Sequence, residues 1–173
     1  MGDPKKPKKK YSTPPHPWMK ERIEQEKVLT KEYAFKNKKE IWKLSSLLKK
    51  YSEQAKKSII SNTKQGEIEK TNLINKLTKL GLIQAGGQID DILSLKIKDF
   101  CERRLQTLVC RKGLARSMNQ SRQFIVHGHI SIGSNKLTSP SYLVSIDEEA
   151  MISFSSNSEL AREDHPERNI VKK

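Results

Sequence analysis

The chain is short of cysteine, of aromatic residues and of long apolar runs, and each shortage closes a class of function. Its 173 residues hold two cysteines, Cys101 and Cys110. Read on one continuous helix over residues 96–113, they sit nine positions and about 13 Å apart and point in different directions, which excludes a disulfide. Four-ligand metal sites bring ligands in close pairs such as C-x-x-C. The only close pair of Cys or His here is His127 with His129. No metal and no cofactor is therefore expected, and both cysteines read as small buried apolar groups. No stretch approaches the ~18 consecutive apolar residues of a spanning helix, and the Lys- and Pro-rich start has no apolar signal core, so the chain reads as cytoplasmic with no membrane partner. Apolar residues make up 34%, and exchanging the 4 Tyr for the 8 Gly gives roughly 36%, against about 45–50% in an average soluble chain. With 31% charged residues, this favours small modules with solvated extensions over an enzyme with a deep cavity. Residues 1–100 also lack paired catalytic carboxylates, a nucleophile motif and a Gly-rich phosphate loop, so no catalysis is expected.

Positive charge is what the chain has in excess: 34 Lys and Arg against 20 Asp and Glu, a formal +14. The first 20 residues carry Lys5, Lys6, Lys8, Lys9, Lys10 and Lys20 against Asp3, with prolines at 4, 7, 14, 15 and 17. Such a segment cannot bury itself, and it is expected to be an extended arm that orders on a polyanion, with Trp18 anchoring its end. Residues 20–80 read as helical. Ile41, Leu44, Leu48, Tyr51, Ala55 and Ile59 recur at spacings of three and four, while Lys43, Lys49, Lys50, Lys56 and Lys57 make the other face basic, as many solvated faces are. A further helix is expected over 68–80, closed by Gly81, with loops at 62–67 and 84–88.

The chemistry concentrates after residue 100. On the 96–113 helix, Ile97, Cys101, Leu105 and Leu108 make an apolar stripe, and Arg104 and Arg111 stand on one flank, about 20° apart in projection and roughly 10 Å apart. Ser117 followed by Gln120 satisfies the capping-box rule and starts a short helix, whose free N–H groups beside Arg116 suit a phosphate oxygen. Strands are expected at 129–132, 136–138, 142–144 and 151–154, giving two helices and then a small sheet. Asn119-Gln120-Ser121 fits the glycosylation rule, which a cytoplasmic chain makes coincidental. From Arg103 to Lys136, seven Lys or Arg residues (103, 104, 111, 112, 116, 122, 136) face no carboxylate in 34 positions. A surface of one sign is suited to phosphates.

Arg103-Arg104-Leu105-Gln106-Thr107-Leu108-Val109, Arg111-Lys112-Gly113-Leu114-Ala115-Arg116, Arg122-Gln123, Ile125-Val126-His127-Gly128-His129-Ile130 and Thr138-Ser139-Pro140-Ser141-Tyr142 resemble the S-four family of small-subunit ribosomal proteins in its archaeal and eukaryotic form. Gly2-Asp3-Pro4-Lys5-Lys6-Pro7, His16-Pro17-Trp18 and Asn37-Lys38-Lys39-Glu40-Ile41-Trp42 extend the likeness over roughly residues 1–155. The resemblance implies an α+β fold: a basic arm over 1–18, a helical rRNA-binding domain over 19–100, and an RNA-binding module of two helices on a short antiparallel sheet over 101–155. An acidic Ser-rich tail over 156–173 matches nothing in the family. It further implies a structural role in the small ribosomal subunit, direct binding of small-subunit rRNA at a multi-helix junction and help in nucleating assembly. Neighbouring ribosomal proteins would be partners, with messenger RNA passing close by. Carried over by position, the RNA contacts of the module are Arg103, Arg104, Arg111, Lys112, Arg116, Arg122, Gln123, His127, His129 and Lys136; the charge of the arm adds Lys5, Lys6, Lys8, Lys9 and Lys10, and the helix start adds Ser117. Two positions depart from the archaeal pattern: Cys110 replaces an aromatic residue and Asn135 a basic one, which weakens the hold of the sheet edge on RNA. The cysteine cluster that binds zinc near the N-terminus of many bacterial relatives is absent from this chain.

A DNA-binding architectural protein, or the targeting module of an RNA-modifying system, are the rival readings, since a charge of +14 would also hold duplex DNA. A lone targeting module would lack the first 100 residues. With about 6–10 basic groups on phosphates, RNA affinity is expected to fall roughly 10³–10⁵-fold between 50 and 200 mM salt. Structured small-subunit RNA is expected to displace bound duplex DNA at matched salt, because folded RNA offers junction shape that B-form DNA lacks; equal retention of both would count against the ribosomal reading. On the one-helix geometry, Arg104→Ala and Arg111→Ala are each expected to weaken RNA binding and leave the circular dichroism spectrum unchanged.

Overall fold

The computed structural model describes residues 9–61, 63–162 and 165–168. Helices α1 (Lys20–Tyr33), α2 (Lys38–Ile60), α3 (Lys64–Lys79), α4 (Ile89–Ser94) and α5 (Ile97–Glu102) come first. Then follow α6 (Leu105–Arg111), α7 (Met118–Val126), β1 (Ile130–Ile132), β2 (Asn135–Lys136), α8 (Ile146–Ala150) and β3 (Ile152–Phe154). The fold is α+β. Its antiparallel sheet has the order β2-β1-β3, with Ser131 opposite both Lys136 and Ser153.

Two apolar cores divide the described chain. The three-and-four spacing of α2 buries Ile41, Leu44, Tyr51 and Ala55 against Leu73 and Leu77 of α3, Ile89 and Ile92 of α4, and Phe100 and Cys101 of α5. Tyr51 and Phe100 stack with ring centroids 6.0 Å apart. Ile59, expected on the same stripe, lies in the last turn of α2 and is 47% exposed. The second core gathers Leu105 and Val109 of α6, Phe124 and Ile125 of α7, Ile130 and Ile132 of β1, Val144, Ile152 of β3 and Leu160. Leu160 belongs to the Ser-rich stretch, so that stretch reaches back to the body. Cys101 is fully buried, and burial pushes its thiol up to about 12; Cys110 is half-buried.

Several expectations are corrected. The loop expected at 62–67 is mostly helix: the Thr63 hydroxyl accepts the Gly66 N–H at 3.2 Å and starts α3 at Lys64, while Asn62 lies outside the described residues. Residues 142–144 are not a strand of the sheet, and α8 lies where no helix is expected. Its signal is the Ser145 and Glu148 pair, a reciprocal capping box whose Ser145 N–H holds the Glu148 carboxyl below its usual range. Residues 9–18 run without regular structure along α1 and α2. The arm is held by the Ser12 N–H on Ser46 Oγ (3.0 Å), by Tyr11 beside Trp42, and by Arg22 donating to the Pro17 and His16 carbonyls. Trp18 is 89% exposed and does not anchor it, because those contacts already do. Lys5, Lys6 and Lys8 lie outside the described residues.

The largest correction concerns residues 96–113, which form two helices. Arg103 caps α5 and Arg104 opens α6, and between them the backbone pairs with 142–144: Leu105 N–H donates to the Tyr142 carbonyl (2.8 Å) and Val144 N–H to the Arg103 carbonyl (3.0 Å). In the sequence the apolar spacing continues across the break, so periodicity could not reveal it, although Ile97 and Cys101 pack in the first core and Leu105 and Leu108 in the second. The break turns Arg104 inward. Only 2% exposed, its Nη2 lies 2.6 Å from Glu40 Oε2, and its guanidinium stands 4.8 Å from the centroid of Phe35. Arg122 Nη2 meets the other Glu40 oxygen at 3.0 Å. One carboxylate of α2 therefore holds α6 and α7, and the flank that Arg104 would share with Arg111 does not exist.

Removing Arg104 leaves Glu40 half-paired in a poorly hydrated site. Arg104→Ala is expected to cost about 3 kcal/mol in urea denaturation, the low end for orphaning a member of a buried pair, since Arg122 remains. An unchanged midpoint would show that the Arg104–Glu40 pair does not hold the two cores together. Burial by itself would raise the Glu40 carboxyl, and the hydrogen bonds from Arg122 and Arg104 overcome it, so Glu40 titrates below its usual range. Its stabilisation is present above the ordinary carboxylate value and is lost as pH falls through the depressed folded one. Glu40→Gln is accordingly expected to flatten the acid limb of the stability profile below about pH 4.3; an identical limb in both proteins would contradict this.

Candidate nucleic-acid interface

The acid-free span from 103 to 136 does not stay acid-free once folded. Arg103 Nη1 reaches Glu149 Oε2 at 2.6 Å and its Nη2 donates to the Val144 carbonyl at 3.1 Å, while Lys112 donates to the Glu149 carbonyl. Arg111 Nη2 lies 3.0 Å from Glu102 Oε1, which also accepts the Tyr33 hydroxyl at 2.8 Å; the same bond raises Arg111 above its ordinary value. Arg104 and Arg122 share Glu40. Four of the five expected arginines thus carry an internal carboxylate, with side-chain exposures from 2% (Arg104) and 14% (Arg103) to 25% (Arg122) and 62% (Arg111).

The remaining expected residues lie on the surface of α7 and the sheet. Arg116 is exposed, and its side chain makes no ion pair among the described residues. Ser117 Oγ accepts the Gln120 N–H at 3.2 Å, but the Gln120 side chain answers to the Arg116 N–H (2.9 Å), one residue earlier than a closed box would place it. Gln123 and His127 are exposed and one turn apart. His127 stands over His129, ring centroids 6.3 Å apart, and His129 Nδ1 lies 2.8 Å from Ser158 Oγ, which ties the Ser-rich stretch to the sheet. Lys136 is exposed on β2, its stem laid over Gly128, whose φ is +75°. Lys9 and Lys10 are exposed on the arm.

Folding also sets the lysines of one face of α2 beside cations from distant parts of the chain. A groove of about 680 Å³ between α2 and the 139–143 loop is lined by Lys10, Lys39, Lys43, Lys50, Arg104 and Arg122 with Pro140 and Ser141, and Glu40 is its one carboxylate. By sequence Lys43 and Lys50 read only as a solvated face, and neither Lys39 nor Glu40 stands out as a site residue; only their placement opposite residues about a hundred positions later marks them. No helix among the described residues is long and apolar enough to cross a membrane.

The S4 domain family matches residues 103–149. The small ribosomal subunit protein uS4 of Methanococcus aeolicus is 50% identical over 169 residues, which is 97% of this chain and 96% of that protein. The uS4 proteins of Methanococcus maripaludis and Methanococcus vannielii are 48% and 49% identical over 172 residues, 99% of this chain and 97% of theirs. The chain belongs to the small ribosomal subunit protein uS4 family. Within it, the matched S4 domain begins and ends on an ion pair, since Arg103 and Glu149 are its first and last residues. The N-terminal 102 residues contribute the carboxylates Glu40 and Glu102 on which three of its arginines rest.

A Cβ at position 128 would collide with Cε of Lys136 and would also sit on a backbone that L side chains rarely adopt. Gly128→Ala is expected to cost about 1–2 kcal/mol, or roughly 2–8 °C in melting temperature. A melting curve that overlays the parent would show that the turn relaxes without cost.

Proposed function

We propose that this chain is a structural, non-catalytic constituent of the small ribosomal subunit in the cytoplasm. It binds small-subunit rRNA directly at a multi-helix junction, helps nucleate subunit assembly, and lies near the channel by which messenger RNA enters. The observation that carries this reading is the groove between α2 and the 139–143 loop. Six cations line it against one carboxylate, and that carboxylate is already engaged by two of them. Such a surface attracts a phosphate backbone, and its one carboxylate is held between two guanidinium groups. The uS4 family membership supports the same partner.

Within this reading the residues divide. Lys9, Lys10, Lys112, Arg116 and Lys136, joined by Lys39, Lys43 and Lys50, reach phosphates. Arg111 and Arg122 approach RNA while tethered, and the Ser117 turn supplies N–H donors beside Arg116. Arg103 and Arg104 shape the surface from beneath, and His129 positions His127. Lys5, Lys6 and Lys8 continue the cationic arm. Neighbouring ribosomal proteins cover the remaining exposed apolar side chains, among them Trp18, Ile60 and Met151.

Counterion release makes the proposal quantitative. The Lys43→Ala, Lys50→Ala double variant is expected to keep its melting temperature and to lower the log–log salt slope of small-subunit rRNA binding by about 1.5. An unaltered slope would remove the groove from the interface. In a lysate the chain is expected to sediment with the small subunit and to leave it only at high salt; recovery solely as free protein would refute the ribosomal role.

A further inference from the structure

A second hollow, between the end of α1 and α7, differs in kind from the lysine groove. It has a volume of about 530 Å³, within the roughly 300–1,000 Å³ of small-ligand sites. Lys31 and Lys36 line one wall; Asn119, Arg122, Gln123 and His127 line the other, and no carboxylate lines it. The neighbouring Glu32 is engaged by Lys98 at 3.4 Å, and Glu40 by Arg104 and Arg122. Lys31 and Lys36 are exposed and make no ion pair among the described residues.

Asn119, Gln123 and His127 recur every four positions, so they run along one face of α7 with about 40° between steps, and all three are exposed. A surface built only for phosphate would place cations there. A carboxamide cannot neutralise a phosphate, but its paired donor and acceptor match the edge of a nucleobase. His127 adds a ring whose one side stands over His129, leaving an exposed ring for stacking. Base-reading groups lie between cations.

We propose that this cleft takes one unpaired RNA nucleotide, its base edge on Asn119 and Gln123 and its flanking phosphates on Lys31 and Lys36. The inference rests on the rRNA-binding reading and deepens it: the lysine groove holds backbone of any sequence, while this cleft supplies base selectivity. The test uses the full chain with a small-subunit rRNA transcript, probed with dimethyl sulfate and carbodiimide, which together report the pairing edges of all four bases. The parent protein is expected to protect at least one unpaired base. In the Asn119→Ala, Gln123→Ala double variant that base regains reactivity and affinity falls about 10-fold with the salt slope unchanged. Lys31→Ala and Lys36→Ala each lower the slope by about 0.7 and weaken binding to the transcript and to its reverse complement equally. Gln123→Met, of nearly the same length and without charge, acts in the same direction as the double variant and serves if that variant folds poorly. Protection that persists in these variants, binding without protection of any unpaired base, or a fall in their salt slope would overturn the inference. Failure of the parent protein to bind the transcript at all would instead sink the rRNA reading beneath it.

Discussion

One carboxylate governs how the parts of this protein meet. Glu40, in the first turn of α2, accepts from Arg104 and Arg122, which lie 64 and 82 positions later in the chain. A guanidinium suits this position because its planar fork meets a carboxylate oxygen while its face rests on an aromatic ring, as Arg104 does on Phe35. Each partner alone would be a charge stranded away from water; together they are satisfied, and the α2 core is fixed against the α6–α7 core. Both cationic hollows follow from that placement. Arg122 lines the two of them, with α2 and the 139–143 loop around one and α1 and α7 around the other.

The same logic separates the work of arginine from that of lysine. Arg103, Arg104, Arg111 and Arg122 each meet a carboxylate contributed from outside the acid-free span, namely Glu149, Glu40 and Glu102. Lys39, Lys43, Lys50 and Lys136 remain exposed. An ammonium is strongly hydrated and sits on a flexible stem, so it gains little from burial and stays available to a mobile polyanion. The net positive field therefore survives folding although much of the arginine charge is internally matched.

Much of the architecture is legible in local patterns. The three-and-four spacing marks α2, the Ser117 turn marks α7, the left-handed glycine at 81 ends the helical region before the 84–88 loop, and alternation marks β1 and β3. What fails does so for identifiable reasons. The stripe through Ile97, Cys101, Leu105 and Leu108 is continuous whether or not the helix breaks, and the break is stabilised by backbone pairing with residues 142–144, some forty positions away. Residues 63–67 resemble a loop because polar residues such as Thr63 are also those that begin a helix. The cationic surface is legible as a sign of charge over 103–136 but not as a shape, since Lys31 and Lys36 carry no distinguishing local pattern and the four-residue recurrence of Asn119, Gln123 and His127 does not show what lies opposite it.

Sequence alone determined the excess of positive charge, the α+β class and the family, because net charge, hydrophobic period and short motifs are properties of neighbouring residues. Tertiary structure decided which cations remain available and which become struts. That choice depends on pairs such as Arg104 with Glu40, whose separation along the chain bears no relation to their distance in space. A buried charge needs a partner within a few ångströms, and only the folded chain can supply one.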